Sequence, residues 1–531
     1  MADVARLNDL LDEAVDYLRA KDLKKFESLI DENLDVLNHQ SEEFKRSCLL
    51  HVCAFFGLPQ AFKFLLDKHA DVNVQTSEGD TPLAVACLMK HKDMVDMLLD
   101  KQADINIQTV EGATPLYIAC QNGYKDIVKI LLDKQADFNT QTAEGATSLS
   151  IACQKGHIEI ARMLLDKHAD VNIQAVGGDT PLYVSCGMGD EDIVKMLLDK
   201  HADVNMQTGK GYTSLYIACH QGHKDIAKML LDKQTDINIQ TEEGYTPLYV
   251  ACQNGCKDIV KMLLDKQADF NIETFQGVTS LYIACQKGFR DIVKMLLDKQ
   301  ADVNIQTAKG YTSLYIACQH GHIEIARMLL DKQADINIQG SGGDTSLYVT
   351  CQEGHKDIVK MLLDKQADVN IMDIEGATFL HMACQEGHTD IVNMLLDKID
   401  VNIQTLDGTT PLNMACHQGH KDVVKILLDM QADVNIQTAK GATPLFVSCH
   451  QGHKDIVKML LDKIDVNIQT VDGSTPLHVA CQEGHKDIVK ILLEKQADVN
   501  IQTVQGATPL FVACQMGHKR ICELLRKYGA M

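Results

Sequence analysis

Residues 112–139 read GATPLYIACQNGYKDIVKILLDKQADFN, and this string returns almost unchanged every 33 residues along most of the 531-residue chain. Its opening glycine recurs at Gly79, Gly112, Gly145, Gly178, Gly211, Gly244, Gly277, Gly310, Gly343, Gly376, Gly408, Gly441, Gly473 and Gly506. A unit this short cannot enclose its own apolar face, so neighbouring units must stack and share one continuous core. Repetition also weighs against catalysis. An active site needs a few unlike groups converging once, whereas nearly every polar residue here recurs about a dozen times.

Each unit predicts two helices and a turn-back. Thr114 is placed to cap a first helix, with Pro115 at its first position. That helix runs as PLYIACQN, with Leu116 and Ala119 facing inward, and Gly123 ends it. A second helix, YKDIVKILLDKQ, sets Ile127, Val128, Leu131 and Leu132 on one stripe. Lys125, Asp126, Lys129, Asp133 and Lys134 form its wet face. The segment ADFNTQTAEG then turns back through a glycine and reads as an extended hairpin.

Composition narrows the function classes. The formal charge is −22, but the unit Glu111–Ala143 holds four acids against three lysines, so the excess is spread thinly. That balance favours solubility and disfavours nucleic acid, which wants a basic stripe. No segment reaches the roughly 18 apolar residues of a membrane span, and the acidic, amphipathic start MADVARLNDLLDEAVDYL does not read as a signal peptide. Fourteen of the 18 cysteines form one column, from Cys87 through Cys120 and Cys153 to Cys514. Packed helices lie about 8–10 Å apart, too far for neighbours in the column to meet the roughly 4.4–6.8 Å Cα spacing of a disulfide. So many unpaired thiols place the chain in the cytosol, with the nucleus as the alternative.

The pattern G-x-T-P-L-x-x-A-x-x-x-G-H-x-x-I-V-x-x-L-L-x-x-x-A-D-V-N, as in Gly473 to Asn500, resembles the ankyrin repeat. The resemblance covers roughly residues 41–531, about 15 units, with residues 1–40 expected as a helical cap built from a degraded repeat. It implies an all-α repeat solenoid of helix–turn–helix–hairpin units, curved, with hairpin tips and first helices on the concave face. It also implies protein binding rather than catalysis. At about 10 Å per unit such a stack would be on the order of 150 Å long. Residues 41–76 read as an irregular unit, and Arg520, Glu523, Arg526 and Lys527 give the last unit a polar face. Polar units at both ends are expected of a complete solenoid.

The sequence departs from the family pattern in three ways. The slot after the second helix, usually glycine and left-handed, holds Gln102, Gln135, His168, His201, Gln234 and their successors; only Gly529 keeps the glycine. Two units delete a residue there, reading DKID at Asp397–Asp400 and Asp462–Asp465, so a local change of tilt is expected without a domain boundary. The helix-opening proline becomes serine at Ser148, Ser214, Ser280, Ser313 and Ser346, and phenylalanine at Phe379, which should soften those units.

Several residue sets are candidate sites. The strings Cys219–His220–His223, Cys416–His417–His420 and Cys449–His450–His453 offer a thiol and two imidazoles, but lack a fourth ligand. The pair Cys252 and Cys256 is equally weak, so no metal or cofactor is expected. Histidine after glycine, as at His157, His355 and His485, is expected to bond locally. Tyr183, Tyr216, Tyr249, Tyr282, Tyr315 and Tyr348 take a slot that is histidine at His381 and His478, where a ring would fill space between stacked units. Tyr212, Tyr245 and Tyr311 follow hairpin glycines and have less reason to be buried. With Phe275 they are the expected partner-binding residues, because exposed aromatics make hot spots.

The asparagine of each D-φ-N is expected to bond its own backbone in the turn. Ankyrin repeats are also substrates of a 2-oxoglutarate-dependent asparaginyl hydroxylase, and the resemblance marks Asn106, Asn172, Asn205, Asn304, Asn370, Asn435 and Asn500 as candidate sites. The one-residue deletions put Met394 and Met459 in the leucine slot ahead of Asn402 and Asn467, where modification should be weaker. The leading expectation is a monomeric, non-catalytic scaffold or adaptor for a protein or peptide partner. A mechanical spacer, or a microbial effector acting on host proteins, is the alternative.

Overall fold

The computed structural model describes residues 2–40 and 45–531, with side chains from residue 5 onward. The described residues form thirty-two α-helices, one 3-10 turn and no strands, as an all-α repeat solenoid of adjacent helix pairs. They divide into two compact units, Met1–Asp269 and Phe270–Met531. That division falls at neither short repeat, and the expected boundary at 40/41 abuts residues outside the described ones.

In the first unit, the pair Ala2–Arg19 and Leu23–Glu32 buries Leu11, Ala14, Val15, Phe26 and Ile30. The regular repeats follow the sequence closely. The helix Pro115–Gln121 starts at proline, and Thr114 Oγ1 accepts the Tyr117 N–H at 3.1 Å. Leu116 and Ala119 are fully buried. Gly123 ends the turn at φ +75°, and a Cβ there would lie 2.8 Å from the His157 ring of the next repeat. Lys125–Asp133 buries Ile127, Val128, Leu131 and Leu132 and exposes its charged face. Burying four such side chains gives each repeat roughly 1.5–3 kcal/mol apiece, which sets the apolar cohesion of the stack.

The turn-back closes as a short hairpin without a strand ladder, Thr109 N–H donating to Ala113 O at 2.9 Å. It is a chain of tight turns tied to the neighbouring repeat: Gly112 N–H donates to Thr109 O at 2.8 Å, and Val110 N–H reaches across to Glu78 O at 2.8 Å. Gly112 sits at φ +80°, and a Cβ on it would meet the Ala143 backbone nitrogen at 2.7 Å. The close approach of the next turn thus requires glycine at this place.

In the second unit, serine opens helices where proline is missing, as in Ser280–Lys287 and Ser313–Gln319, with Thr279 and Thr312 still capping. Phe379 opens its helix fully buried. The slot after the second helix is left-handed at Gln300, Gln333, Gln366, Gln431 and Gln496, as it is at Gln102, Gln135 and Gln267 in the first unit. Gln234 is the exception and has no positive φ. There Thr235 replaces the usual alanine, and its hydroxyl donates to Leu230 O at 2.6 Å, redirecting the chain.

Candidate partner-binding face

Three polar columns join successive repeats, and two of them, asparagine and histidine, bond differently from what the residues alone suggest. The asparagine of D-φ-N does not close its own turn with its side chain. The aspartate does that: Asn106 N–H donates to Asp104 Oδ1 at 3.0 Å. The Asn106 amide oxygen instead accepts the backbone N–H of Asp137, one repeat on, at 2.9 Å. The rung begins at Asn38 with Asp71 and recurs at Asn73, Asn139, Asn172, Asn205, Asn304 and Asn337, among others. Of the hydroxylation candidates, Asn106, Asn172, Asn205, Asn304 and Asn500 hold such a rung. Asn370 and Asn435 form none among the described residues, because each precedes a deleted residue that pulls the next aspartate out of reach.

The histidine after glycine also reaches a neighbour. Its Nε2 meets a carbonyl at the end of the preceding repeat's first helix, as His355 does with Gln319 O at 3.2 Å and His420 with Gln385 O at 2.7 Å. The ring crosses over because the matching glycine of the preceding repeat leaves it room: a Cβ on Gly321 would lie 2.7 Å from the His355 ring. The third column is glutamine: Gln108 Nε2 donates to Gly112 O at 2.8 Å and to Gln141 O at 3.0 Å. Exposed lysine–carboxylate pairs, such as Lys134–Asp100 at 3.4 Å, flank these columns; pairs of this kind are worth about 0–1 kcal/mol each.

Two of the candidate ligands, His420 and His453, are taken up by such bonds between repeats. Cys219, Cys416 and Cys449 are buried, while His220, His417 and His450 point outward at helix ends. Among the described residues no three His, Cys, Asp or Glu side chains gather as a metal site. Burial pushes the column thiols up, to about 12 at Cys153, Cys318 and Cys416.

The tip aromatics separate into two kinds. Tyr212, Tyr245 and Tyr311 are half-buried rather than exposed, because each ring stacks on the tyrosine four residues later. Centroids lie 4.9 Å apart for Tyr212–Tyr216, 4.8 Å for Tyr245–Tyr249 and 4.2 Å for Tyr311–Tyr315. Tyr216, Tyr249 and Tyr315 are buried, whereas Tyr183, Tyr282 and Tyr348 are half-buried. Burial, then the bond to Asp344, raises the Tyr315 hydroxyl well above its ordinary range. Phe275 stands free, 79% exposed. The first unit holds Tyr212 and Tyr245 and the second holds Phe275 and Tyr311.

Phe275 belongs to a row that sequence reasoning missed. Val110 and Val176 in the first unit, and Phe275, Ile374, Leu406, Val471 and Val504 in the second, share its place two residues before the hairpin glycine. Their exposures run from 70% at Ile374 to 82% at Leu406. The signal was legible as an apolar residue recurring in a slot that is polar or small in other repeats, such as Ser77, Glu242 and Ser341.

Paired helices, tight turns and rungs between copies define one architecture, and a family model described as "Ankyrin repeats (3 copies)" matches residues 16–109, 50–142, 134–208, 182–274, 272–340, 339–405, 398–470 and 463–531. The chain belongs to the ankyrin-repeat family. No curated protein matches it as a relative. Ankyrin repeats are in general protein–protein interaction modules and typically non-catalytic. Within this ankyrin array no described helix is long and apolar enough to cross a membrane.

Proposed function

We propose that this ankyrin-repeat chain is a non-catalytic adaptor that grips a protein or peptide partner along its hairpin-tip face, as a monomer in the cytosol. The observation behind the reading is the row of exposed apolar tips flanking the stacked tyrosine pairs. Large apolar side chains held in water at one repeated place supply contact area at little ordering cost, and aromatics among them are suited to act as anchors. The thinly spread negative charge argues against nucleic acid as the partner.

The test uses the partner recovered by affinity purification from native cytosol. Tyr212→Ala with Tyr245→Ala alters the first unit, and Phe275→Ala with Tyr311→Ala the second. At least one double variant should raise the dissociation constant tenfold or more while keeping its helical circular dichroism. Unchanged affinity in both would sink the proposal. A spacer role is the second reading, favoured by the unbroken run of asparagine rungs from Asn38 to Asn238 within the first unit. It expects no saturable partner, and force spectroscopy of the intact chain should then show stepwise rupture repeat by repeat.

A further inference from the structure

Two thiols meet in the last repeat. Cys514 lies on Pro509–Gln515 and Cys522 on Lys519–Lys527, the two helices of the last repeat, and their sulfurs are 2.9 Å apart. A disulfide bond is about 2.03–2.05 Å long, so the sulfurs need to close by roughly 0.9 Å. Cys522 occupies the second-helix slot that holds Val128, Val260 and Val489 in other repeats. Column cysteines elsewhere therefore face no thiol in that slot. Cys514 also differs in access, being exposed where the other column members are buried. Cys522 shares its helix with Lys519, Arg520, Arg526 and Lys527.

We propose that Cys514 and Cys522 are an oxidant-responsive disulfide pair, with Cys514 reacting first with hydrogen peroxide and Cys522 resolving it. The Cys514 thiolate attacks one peroxide oxygen: an S–O bond forms, the O–O bond breaks, and hydroxide leaves to become water on taking a proton. Cys522 sulfur then attacks the sulfenic sulfur of Cys514. The S–S bond forms, the S–O bond breaks, and the hydroxyl leaves as a second water with the proton from Cys522. Two thiols lose two electrons in total, and one peroxide is reduced to two waters. A small thiol such as glutathione reverses the bond by exchange. The product staples the two helices of the last repeat across residues 514–522.

The full chain, treated with stoichiometric hydrogen peroxide and quenched with iodoacetamide while folded, provides the test. Trypsin cuts between the two cysteines, so the bridge appears as Gln496–Lys519 joined to Ile521–Arg526, two hydrogens lighter than the separate peptides. More than half the chains should carry it, and glutathione should remove it. In Cys522→Ser, dimedone should trap Cys514 as its sulfenic acid; in Cys514→Ser, Cys522 should remain a thiol. Oxidation of Cys514 to the sulfinic acid with Cys522 still free, a Cys481–Cys522 bridge, or preferential oxidation of the half-exposed Cys256 would each overturn the assignment. The wild-type result needs no variant, so a misfolded substitution cannot decide it.

Discussion

The 33-residue repeat ending near Asp368 and the 32-residue repeat that follows it differ by one residue and separate two sources of cohesion. In the longer one, Lys356–Asp364 is followed by left-handed Gln366, buried Ala367 and Asp368, whose N–H takes the Asn337 rung at 3.0 Å. In the shorter one the second helix shrinks to Thr389–Leu395, no residue near its end has positive φ, and Ile399 fills the buried alanine slot. Asn370 then makes no rung, and its amide donates to its own neighbour Asp368 at 3.2 Å. Yet Ile391, Val392, Leu395 and Leu396 are all buried, whereas the longer repeat leaves Leu363 half-buried. The apolar stripe is indifferent to the deletion, while the polar rung depends on chain length to the residue. The pair at Lys454–Leu460 and Asn435 repeats the lesson.

If this separation is correct, the largest effects should be blind to repeat length. Leu329→Ala and Leu395→Ala each empty a fully buried slot and should each cost about 2–5 kcal/mol in urea denaturation. A much smaller loss for Leu395→Ala would mean the deletion has loosened the core as well. The rungs provide the sharper contrast. Asn337→Ala should cost about 0.5–1.5 kcal/mol, the net worth of one hydrogen bond, whereas Asn370→Ala should cost almost nothing. Equal losses at the two positions would contradict the broken rung.

The smallest effect concerns the left-handed slot. A non-glycine there costs roughly 1 kcal/mol, partly offset by glycine's greater freedom in the unfolded chain. Gln267→Gly combined with Gln300→Gly, at φ +65° and +66°, should therefore raise the denaturation midpoint slightly. Gln234→Gly should not, since that residue is not left-handed. A midpoint raised by Gln234→Gly would show that the gain comes from elsewhere.

Period, caps and the buried stripe were all legible in the sequence, because each is a statement about residues within one unit: Thr114 three residues before its donor, Leu131 four after Ile127. What was not legible lies 31–36 residues away. In a chain of near-copies, the residue one repeat on has the same type as the residue at hand, so sequence cannot say whether His355 bonds within its own unit or to Gln319. The same ambiguity hid the forward reach of Asn106. Tyr311 was misjudged for a related reason: its burial comes from stacking on Tyr315, a partner visible in the string but with an orientation that only the turn fixes. Gln234 was misread because the substitution that matters is its neighbour, Thr235. Cys522 went unremarked because its partner follows from helix packing rather than from the column.

The forward rung also bears on how such a chain can grow. Asn106 recognises the next copy by a main-chain N–H, which every residue but proline supplies. A duplicated segment that keeps the buried stripe and brings the full 33 residues can therefore take up the rung from the repeat before it. A 32-residue copy would transmit its missing rung to every descendant, along with its otherwise sound interior. Inheritance in this molecule thus acts on spacing first and on residue identity second, leaving the tip positions free to diverge.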